Sequence, residues 1–188
     1  MYHIKADKRM QVSAGLIISG LTTCLKAKDF NSITITDVQH VSGVGRSTFY
    51  RLFDNLSDVL MYQTDQLFAA MITEQRVRKD ITSEKLMAFF VHQWLENTVL
   101  LETLVASQRE DILLAGFENS FIDLEDFLLP DGHLDSISSD YFISFVAAVV
   151  VAGLKTWIKR GKIDPPEVLL AQVRQASATF YRAQNPSL

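Results

Sequence analysis

The chain has 188 residues, a formal net charge of −4 and a single cysteine, Cys24. Hydrophobic residues account for 48% of it, which supports a substantial core and excludes an intrinsically disordered protein. A single cysteine excludes a disulfide framework and a cysteine-rich metal site.

The first two predicted helices are joined by a short turn. Apolar periodicity predicts helix one over residues 6–27, followed by a turn around Phe30. Thr34 can cap a second helix with its hydroxyl, and Asp37 can reach back to the cap amide and complement the helix dipole. The inward stripe expected for the second helix is formed by Ile35, Val38 and Val41.

A third, shorter helix follows a turn at residues 42–44, in which Gly43 can supply a left-handed backbone conformation. Its apolar side chains are spaced to pack inward, which leaves polar and charged side chains on its other faces. The inward set is Val44, Thr48, Phe49, Leu52 and Phe53, and the outward set is Arg46, Ser47, Tyr50 and Arg51. The outward side chains are ones that the major groove of DNA can bind, so the segment predicts a helix-turn-helix.

This segment resembles the helix-turn-helix of the TetR family of bacterial transcriptional regulators, in which a threonine-capped helix and a Gly-Val turn precede the pattern T-[FLI]-Y-x-x-F. The resemblance extends upstream to Arg9 and Phe30 and downstream into a helical remainder. It implies an N-terminal DNA-binding head, a C-terminal helical part that binds effectors and dimerises, and DNA contacts at Thr34, Arg46, Ser47, Thr48 and Tyr50. The matching residues are Thr34, Gly43, Val44, Thr48, Phe49, Tyr50 and Phe53.

Three residues depart from the family pattern. Leu56 stands where the family usually has a lysine that contacts phosphate, which removes one charge-assisted contact. Gln39 takes a position usually held by a small residue, so that either its amide extends outward or the helices cross at a wider spacing. Gly45 replaces the usual hydroxyl cap of the recognition helix, at a cost of about a few tenths of a kcal/mol.

The distribution of charge favours DNA binding by the head. Residues 1–56 hold seven Lys or Arg and four Asp, a net charge of +3, so the remainder of the chain carries −7. Arg46 is the strongest candidate for reading a base, because two hydrogen bonds to guanine give about 1–3 kcal/mol of discrimination, and its alternative role is to bind a phosphate. Ser47 suits a base edge, and the amide of Thr34 and the hydroxyls of Thr48 and Tyr50 suit phosphates. Arg51 is a further candidate for DNA binding.

The central helices carry many of the large apolar side chains. Ser57 can cap a fourth helix, Thr82 or Ser83 opens a fifth, and helical patterns continue over residues 99–107 and 111–128. At helical spacing most aromatic residues belong to an ordinary core, and the alternative is that they line a cavity for a small-molecule effector. The candidates for that cavity are Phe68, Met71, Phe90, Trp94, Phe117 and Phe121.

Two further helices are predicted after a turn at residues 130–133. The first covers residues 137–160 and ends at Gly161, and the second is capped by Asp164. The uncharged run 141–154 is shorter than the about twenty residues of a membrane span, so we expect a buried helix. Small side chains recur along it every four residues, which favours close packing against a second copy over burial within one chain. The expected dimer interface comprises Ser144, Ala148, Ala152, Thr156, Val173 and Phe180.

These patterns predict an all-α protein of about nine helices, with a helix-turn-helix domain over residues 1–56 and an effector-binding and dimerisation domain over residues 57–188. Because the N-terminal segment lacks the apolar core of a secretory signal, we expect a cytoplasmic protein. The expected function is that of a homodimeric repressor, bound to a palindromic DNA operator and released by a small-molecule effector. The alternative is a regulatory partner protein that acts mainly through protein contacts. Because we find no phosphate loop, nucleophile elbow or metal-ligand spacing, we expect neither an enzyme nor a bound metal or cofactor.

Overall fold

The structure is a computed structural model that describes residues 1–4, 7–77, 82–123 and 135–184, with side chains described up to residue 122 in the third range and up to residue 175 in the fourth. The described residues form nine α-helices and one 3₁₀ turn, so the predicted all-α class is confirmed. The predicted turn at 130–133 lies outside the described residues. The helices are α1 (Lys8–Leu25), α2 (Ile35–Ser42), α3 (Arg46–Leu52), α4 (Leu56–Arg76), α5 (Ser83–Glu96), α6 (Thr98–Ala106), α7 (Glu110–Asp123), α8 (Ser136–Lys159) and α9 (Pro166–Gln184).

The first three helices pack around one small core. α1 lies directly against α2 at Gly20, where an added Cβ would lie 2.8 Å from the Cβ of Ser42. Ser42 therefore faces α1, and the predicted inward position of Val41 is wrong, since Val41 is 46% exposed. The fully or almost fully buried side chains of this core are Ile17, Leu21, Val38, Phe49 and Leu52.

Local hydrogen bonds fix where two helices of the head begin. The predicted cap of α2 is confirmed, because the Asp37 amide donates to the Thr34 hydroxyl at 3.1 Å. α4 begins earlier than predicted: the side-chain oxygen of Asn55, rather than the Ser57 hydroxyl, accepts a hydrogen bond from the amide of Asp58 at 3.0 Å. Leu56, the first residue of α4, is buried, so apolar packing accompanies this cap.

α4 leads from the head into the remaining helices and packs mainly against α7. The two helices approach closely at Gly116, because a side chain there would overlap the ring of Phe68. α7 packs in turn against α8, and α9 packs against α8 and α5. The fourth helix is therefore the physical link between the head and the C-terminal helices.

The 24-residue α8 has one buried side and one exposed side. Ala147 and Leu154 are fully buried, whereas Tyr141 and Phe145 are 74% and 54% exposed. Within the part of the chain that the structure describes, α8 alone is long and apolar enough to cross a membrane, and 33% of its most apolar stretch is buried. The prediction of a buried helix therefore holds for one side of α8 only.

A tight turn reverses the chain between α8 and α9. Gly161 has a φ of +78°, which is the left-handed conformation expected at the end of a helix. The indole N–H of Trp157 donates to the backbone carbonyl of Asp164 at 2.7 Å, and the Asp164 carboxylate pairs with Arg160 at 2.6 Å. These bonds hold the start of α9 against the end of α8.

Candidate nucleic-acid interface

The turn between α2 and α3 has the geometry that a helix-turn-helix needs. Gly43 ends α2 with a φ of +69°, a conformation that a residue with a Cβ adopts at a cost. Gly45 occupies the cap position of α3 and makes no side-chain cap hydrogen bond. Phe49 and Leu52 are completely buried, so they anchor α3 to the core and fix which face it turns outward.

The outward face of α3 carries the predicted DNA-binding side chains. Arg46, Ser47, Tyr50 and Arg51 are exposed, and Thr48 is half-buried. The guanidinium carbon of Arg46 lies 5.1 Å from the centroid of the Tyr50 ring, within the range of a cation–π interaction. The exposure of Arg46, Ser47, Tyr50 and Arg51 agrees with the prediction from their spacing, and Thr48, which that spacing placed among the inward residues, is half-buried.

Thr34 lies exposed at the start of α2, but its polar groups are engaged within the chain. Its amide and its hydroxyl donate to the same carboxylate oxygen of Asp37, at 2.8 and 2.7 Å. The Lys28 ammonium lies 2.9 Å from the other oxygen of Asp37. The hydrogen bond from Lys28, followed by those from Thr34, holds the pKa of Asp37 well below its ordinary value. Lys28, which was not among the candidates selected from the sequence, therefore places a positive charge near this end of α2, paired with Asp37.

Carboxylates flank Leu56, the position at which the resemblance implies a lysine. Leu56 is 9% exposed, and Asp54 and Asp58 lie on either side of it in the sequence. The Asp54 side chain is 53% exposed, and the Met1 ammonium lies 2.9 Å from Asp54 and 2.8 Å from Asp58. The start of α4 therefore offers little positive charge to a phosphate beyond its helix dipole.

An N-terminal segment, residues 1–4, crosses the junction of α3 and α4, and the sequence analysis did not predict it. The His3 amide donates to the carbonyl of Leu52 at 2.8 Å, and its Nε2 lies 2.9 Å from the Asp54 carboxylate. The Tyr2 hydroxyl donates to Asp65 at 2.7 Å. Burial, together with this hydrogen bond, raises the pKa of Tyr2 to about 12. The segment thus ties the end of the recognition helix to the helix that leads out of the head.

Gln39 lies half-buried on α2, so its amide does not extend freely into solvent. Its side-chain nitrogen is buried and has no hydrogen-bond partner in the part of the chain that the structure describes. The helices of the head have therefore closed around this side chain at the cost of one unpaired donor.

The six residues predicted to line an effector cavity form a closed cluster. Phe68, for example, places its ring centroid 5.0 Å from that of Phe117 and 5.4 Å from that of Trp94. The set of Phe68, Met71, Phe90, Trp94, Phe117 and Phe121 is almost completely buried. Three side chains buried on the same helices, Thr64, Gln75 and Trp94, have polar atoms with no partner among the described residues.

Two open cavities lie elsewhere, on the two sides of α9. The inner cavity, of about 350 Å³, is bounded by α5, α8 and α9, and the outer groove, of about 780 Å³, lies between α8 and α9. The predicted interface residues Ala152, Thr156 and Val173 line the outer groove. Ser144 and Ala148 are exposed on the same helix, and the side chain of Phe180 lies outside the described residues. No group of three or more metal-ligating side chains was found among the described residues.

No protein-family model matches the chain, and no curated protein matches it in sequence. Solved structures do match. A TetR transcriptional regulator from Streptococcus agalactiae 2603V has 23% identity and a TM-score of 0.63, over 89% of this chain and 94% of that one. The protein Lin0861 from Listeria innocua has 18% identity and a TM-score of 0.76, over 95% and 96%. The dihydroxyacetone kinase operon activator DhaS has 18% identity and a TM-score of 0.63, over 88% and 94%. The chain therefore has the all-α fold of TetR-family transcriptional regulators.

Proposed function

We propose that this protein is a DNA-binding transcriptional regulator, a cytoplasmic homodimer that represses transcription from a palindromic operator and responds to a small-molecule effector. The observation that carries the proposal is the outward face of α3, where Arg46, Ser47, Tyr50 and Arg51 are exposed while Phe49 behind them is buried. Residues 1–56 form the DNA-binding domain in this proposal, and residues 57–188 form the effector-binding and dimerisation domain.

The proposed DNA contacts divide into base reading and phosphate binding. Arg46 leaves the ring of Tyr50 to donate two hydrogen bonds to a guanine, and Ser47 contacts a neighbouring base edge. Thr48, Tyr50 and Arg51 bind phosphates beside the groove. The Thr34 amide already donates a hydrogen bond to Asp37. At the start of α2, Thr34 therefore lies beside the DNA, and the nearby Lys28 supplies the positive charge for the phosphate.

The proposed dimer forms through the exposed side of α8 and the adjoining face of α9. Tyr141 and Phe145 would leave large apolar surfaces in water in a single chain. The small side chains of Ser144, Ala148, Ala152 and Thr156 lie on the same exposed side and allow a second helix to approach closely. A second copy therefore covers the apolar side of α8, and the helix need not enter a membrane. A dimer also suits paired half-sites in DNA.

The proposed effector site is the aromatic cluster between α4, α5 and α7. Its rings are close-packed in the free chain, so an effector must displace some of them. Trp94 of the cluster, and Thr64 and Gln75 on α4, have buried polar atoms without partners among the residues that the structure describes. Since unpaired buried polar groups cost about 1–3 kcal/mol each, a ligand that bonds to them recovers part of that cost. Binding would move α4, and α4 carries the head.

The experiment that tests the proposal is selection of genomic DNA fragments by the purified protein. We expect recovery of one or a few sequences with twofold symmetry and half-sites about 34–36 Å apart, one helical turn. A reporter gene placed behind the recovered site then distinguishes repression from activation. Recovery of random fragments only would contradict the proposal.

A second candidate function is favoured by the acidic start of α4. Asp54 is exposed beside the buried Leu56, where a phosphate contact is expected in this fold. A protein of this kind would act mainly through contact with another regulator, with weak or no direct binding to DNA. No sequence-selective binding at low salt, together with recovery of the DNA only in the presence of a cell extract, would favour this candidate.

A further inference from the structure

The inner cavity between α5, α8 and α9 is a preformed site that the proposed function does not use. Its volume of about 350 Å³ falls within the range of small-molecule sites. None of the six residues of the aromatic cluster lines it. Its walls are aliphatic or thioether side chains, which favour an apolar ligand body: Met87, Val91, Val150, Leu154, Leu169 and Leu170.

Among the described residues that line the cavity, the polar ones lie together at one end. Ser83 and Glu84 are the first two residues of the 14-residue α5, and Arg174 of α9 faces them. The backbone N–H groups at the start of a helix have no partner within the helix, and the helix dipole places positive potential there. An arginine and a helix N-terminus together therefore favour an anion at this end of the cavity.

The Glu84 carboxylate already lies at this polar end of the cavity. The side chain of Glu84 is ion-paired with the Arg174 guanidinium, and the two side chains are 71% and 62% exposed. Exposed ion pairs contribute about 0–1 kcal/mol to stability. A ligand carboxylate can therefore replace the Glu84 carboxylate on Arg174 at little cost, while an attached chain fills the apolar space behind it.

We propose that this cavity binds a carboxylate with a medium-length aliphatic chain, held by Arg174 at its head and by the walls of α5, α8 and α9 along its tail. The site does not require that the protein bind DNA. The inner cavity adjoins the proposed dimer surface, because Leu169 and Val173 line both the inner cavity and the outer groove. A ligand that shifts α9 therefore changes the surface on which the second copy is proposed to lie.

The test is isothermal titration of the purified full-length protein with octanoate, octanol and octylamine, which share a tail and differ in the charge of the head. We expect octanoate to bind with a Kd below about 1 mM, and at least tenfold more tightly than either of the other two. Binding of octylamine as tight as that of octanoate would overturn the proposal, as would no binding of octanoate.

Two charge variants and one cavity variant sharpen the test. Arg174→Met keeps an apolar stem without the charge and should weaken octanoate binding about tenfold. Glu84→Gln removes the competing carboxylate and should strengthen binding. Ala88→Leu fills the cavity and should weaken binding of all three ligands, with circular dichroism and a thermal melt to verify that the variant folds. Unchanged octanoate affinity in Arg174→Met would overturn the proposal whether or not the protein binds DNA.

Discussion

The ring of Phe68 occupies the space that a side chain at position 116 would need, so α4 and α7 meet at Gly116. Phe68 cannot move away easily, because the rings of Phe90, Trp94 and Phe117 surround it. We expect Gly116→Ala to lower the free energy of unfolding by about 1–3 kcal/mol, measured by urea denaturation.

A matched control for this variant is Gly15→Ala in the interior of α1. No atom lies within 4 Å of a Cβ added there, apart from the neighbours that any helix provides. We expect it to raise stability by about 0.5–1 kcal/mol, because alanine loses less backbone entropy than glycine in a helix. Equal effects of the two substitutions would contradict the close approach of α4 and α7.

A second prediction concerns the cap of α2. In Thr34→Ala the Asp37 amide loses the hydroxyl that accepts its hydrogen bond at 3.1 Å. We expect a loss of about 1 kcal/mol in the free energy of unfolding. Thr36→Ala, at an exposed position of the same helix, should change stability by less than about 0.5 kcal/mol. Equal free energies of unfolding for the two variants would show that this cap does not stabilise α2.

The hydrogen bond from Tyr2 to Asp65 predicts a dependence of stability on alkaline pH. Burial and this bond raise the pKa of Tyr2 to about 12 in the folded chain, whereas a tyrosine in the unfolded chain ionises near about 10. The unfolded state therefore loses its proton first, and the stability contributed by Tyr2 is present below about pH 10 and declines as the pH rises towards 12.

The variant that tests this contribution is Tyr2→Phe. At pH 7 we expect it to unfold at lower urea concentration, with a loss of about 1 kcal/mol from the missing hydrogen bond. The difference from the wild type should shrink above about pH 10. Tyr50→Phe, at a tyrosine that is 41% exposed and lies outside the proposed dimer surface, should change the free energy of unfolding at pH 7 by less than about 0.5 kcal/mol. A difference in stability that grows with pH would contradict the assignment.

The proposed dimer predicts that a charge on the exposed side of α8 separates the subunits. In Ala148→Glu two carboxylates would be buried in the contact between copies without partners. We expect the wild type to elute as a dimer and the variant as a monomer in gel filtration with light scattering. Ala70→Glu, at an exposed position of α4, should remain a dimer. A monomeric wild type, or a dimeric Ala148→Glu, would contradict the interface.

The features predicted best from the sequence depend on residues close together in the chain. Thr34 and Asp37 are three residues apart, and Gly43 follows at the end of one short helix, so the capped helix and the turn could be derived from local chemistry. The start of α4 was misplaced because Asn55 and Ser57 both carry side chains that can cap a helix, and in the structure it is Asn55 that accepts the hydrogen bond from the Asp58 amide.

The features that were missed depend on residues far apart or on how space is filled. Tyr2 and Asp65 are separated by 63 residues, and no periodicity connects them. Helical spacing showed that Phe68 and Phe117 point inward, but not that their rings would fill the space between the helices. The inner cavity was missed for the same reason, because it is formed by three helices whose packing the sequence pattern does not specify.

Binding of DNA by the outward face of α3 can be measured as the affinity of the protein for its selected DNA site at increasing salt concentration. We expect the wild type to lose affinity steeply as salt rises, because phosphate contacts release counterions. At fixed salt, Arg46→Ala should bind at least about tenfold more weakly, whereas Lys85→Ala, which removes an equal charge from an exposed position on α5, should bind like the wild type. Equal affinity of Arg46→Ala and the wild type, with no dependence on salt, would show that this face of α3 does not bind DNA.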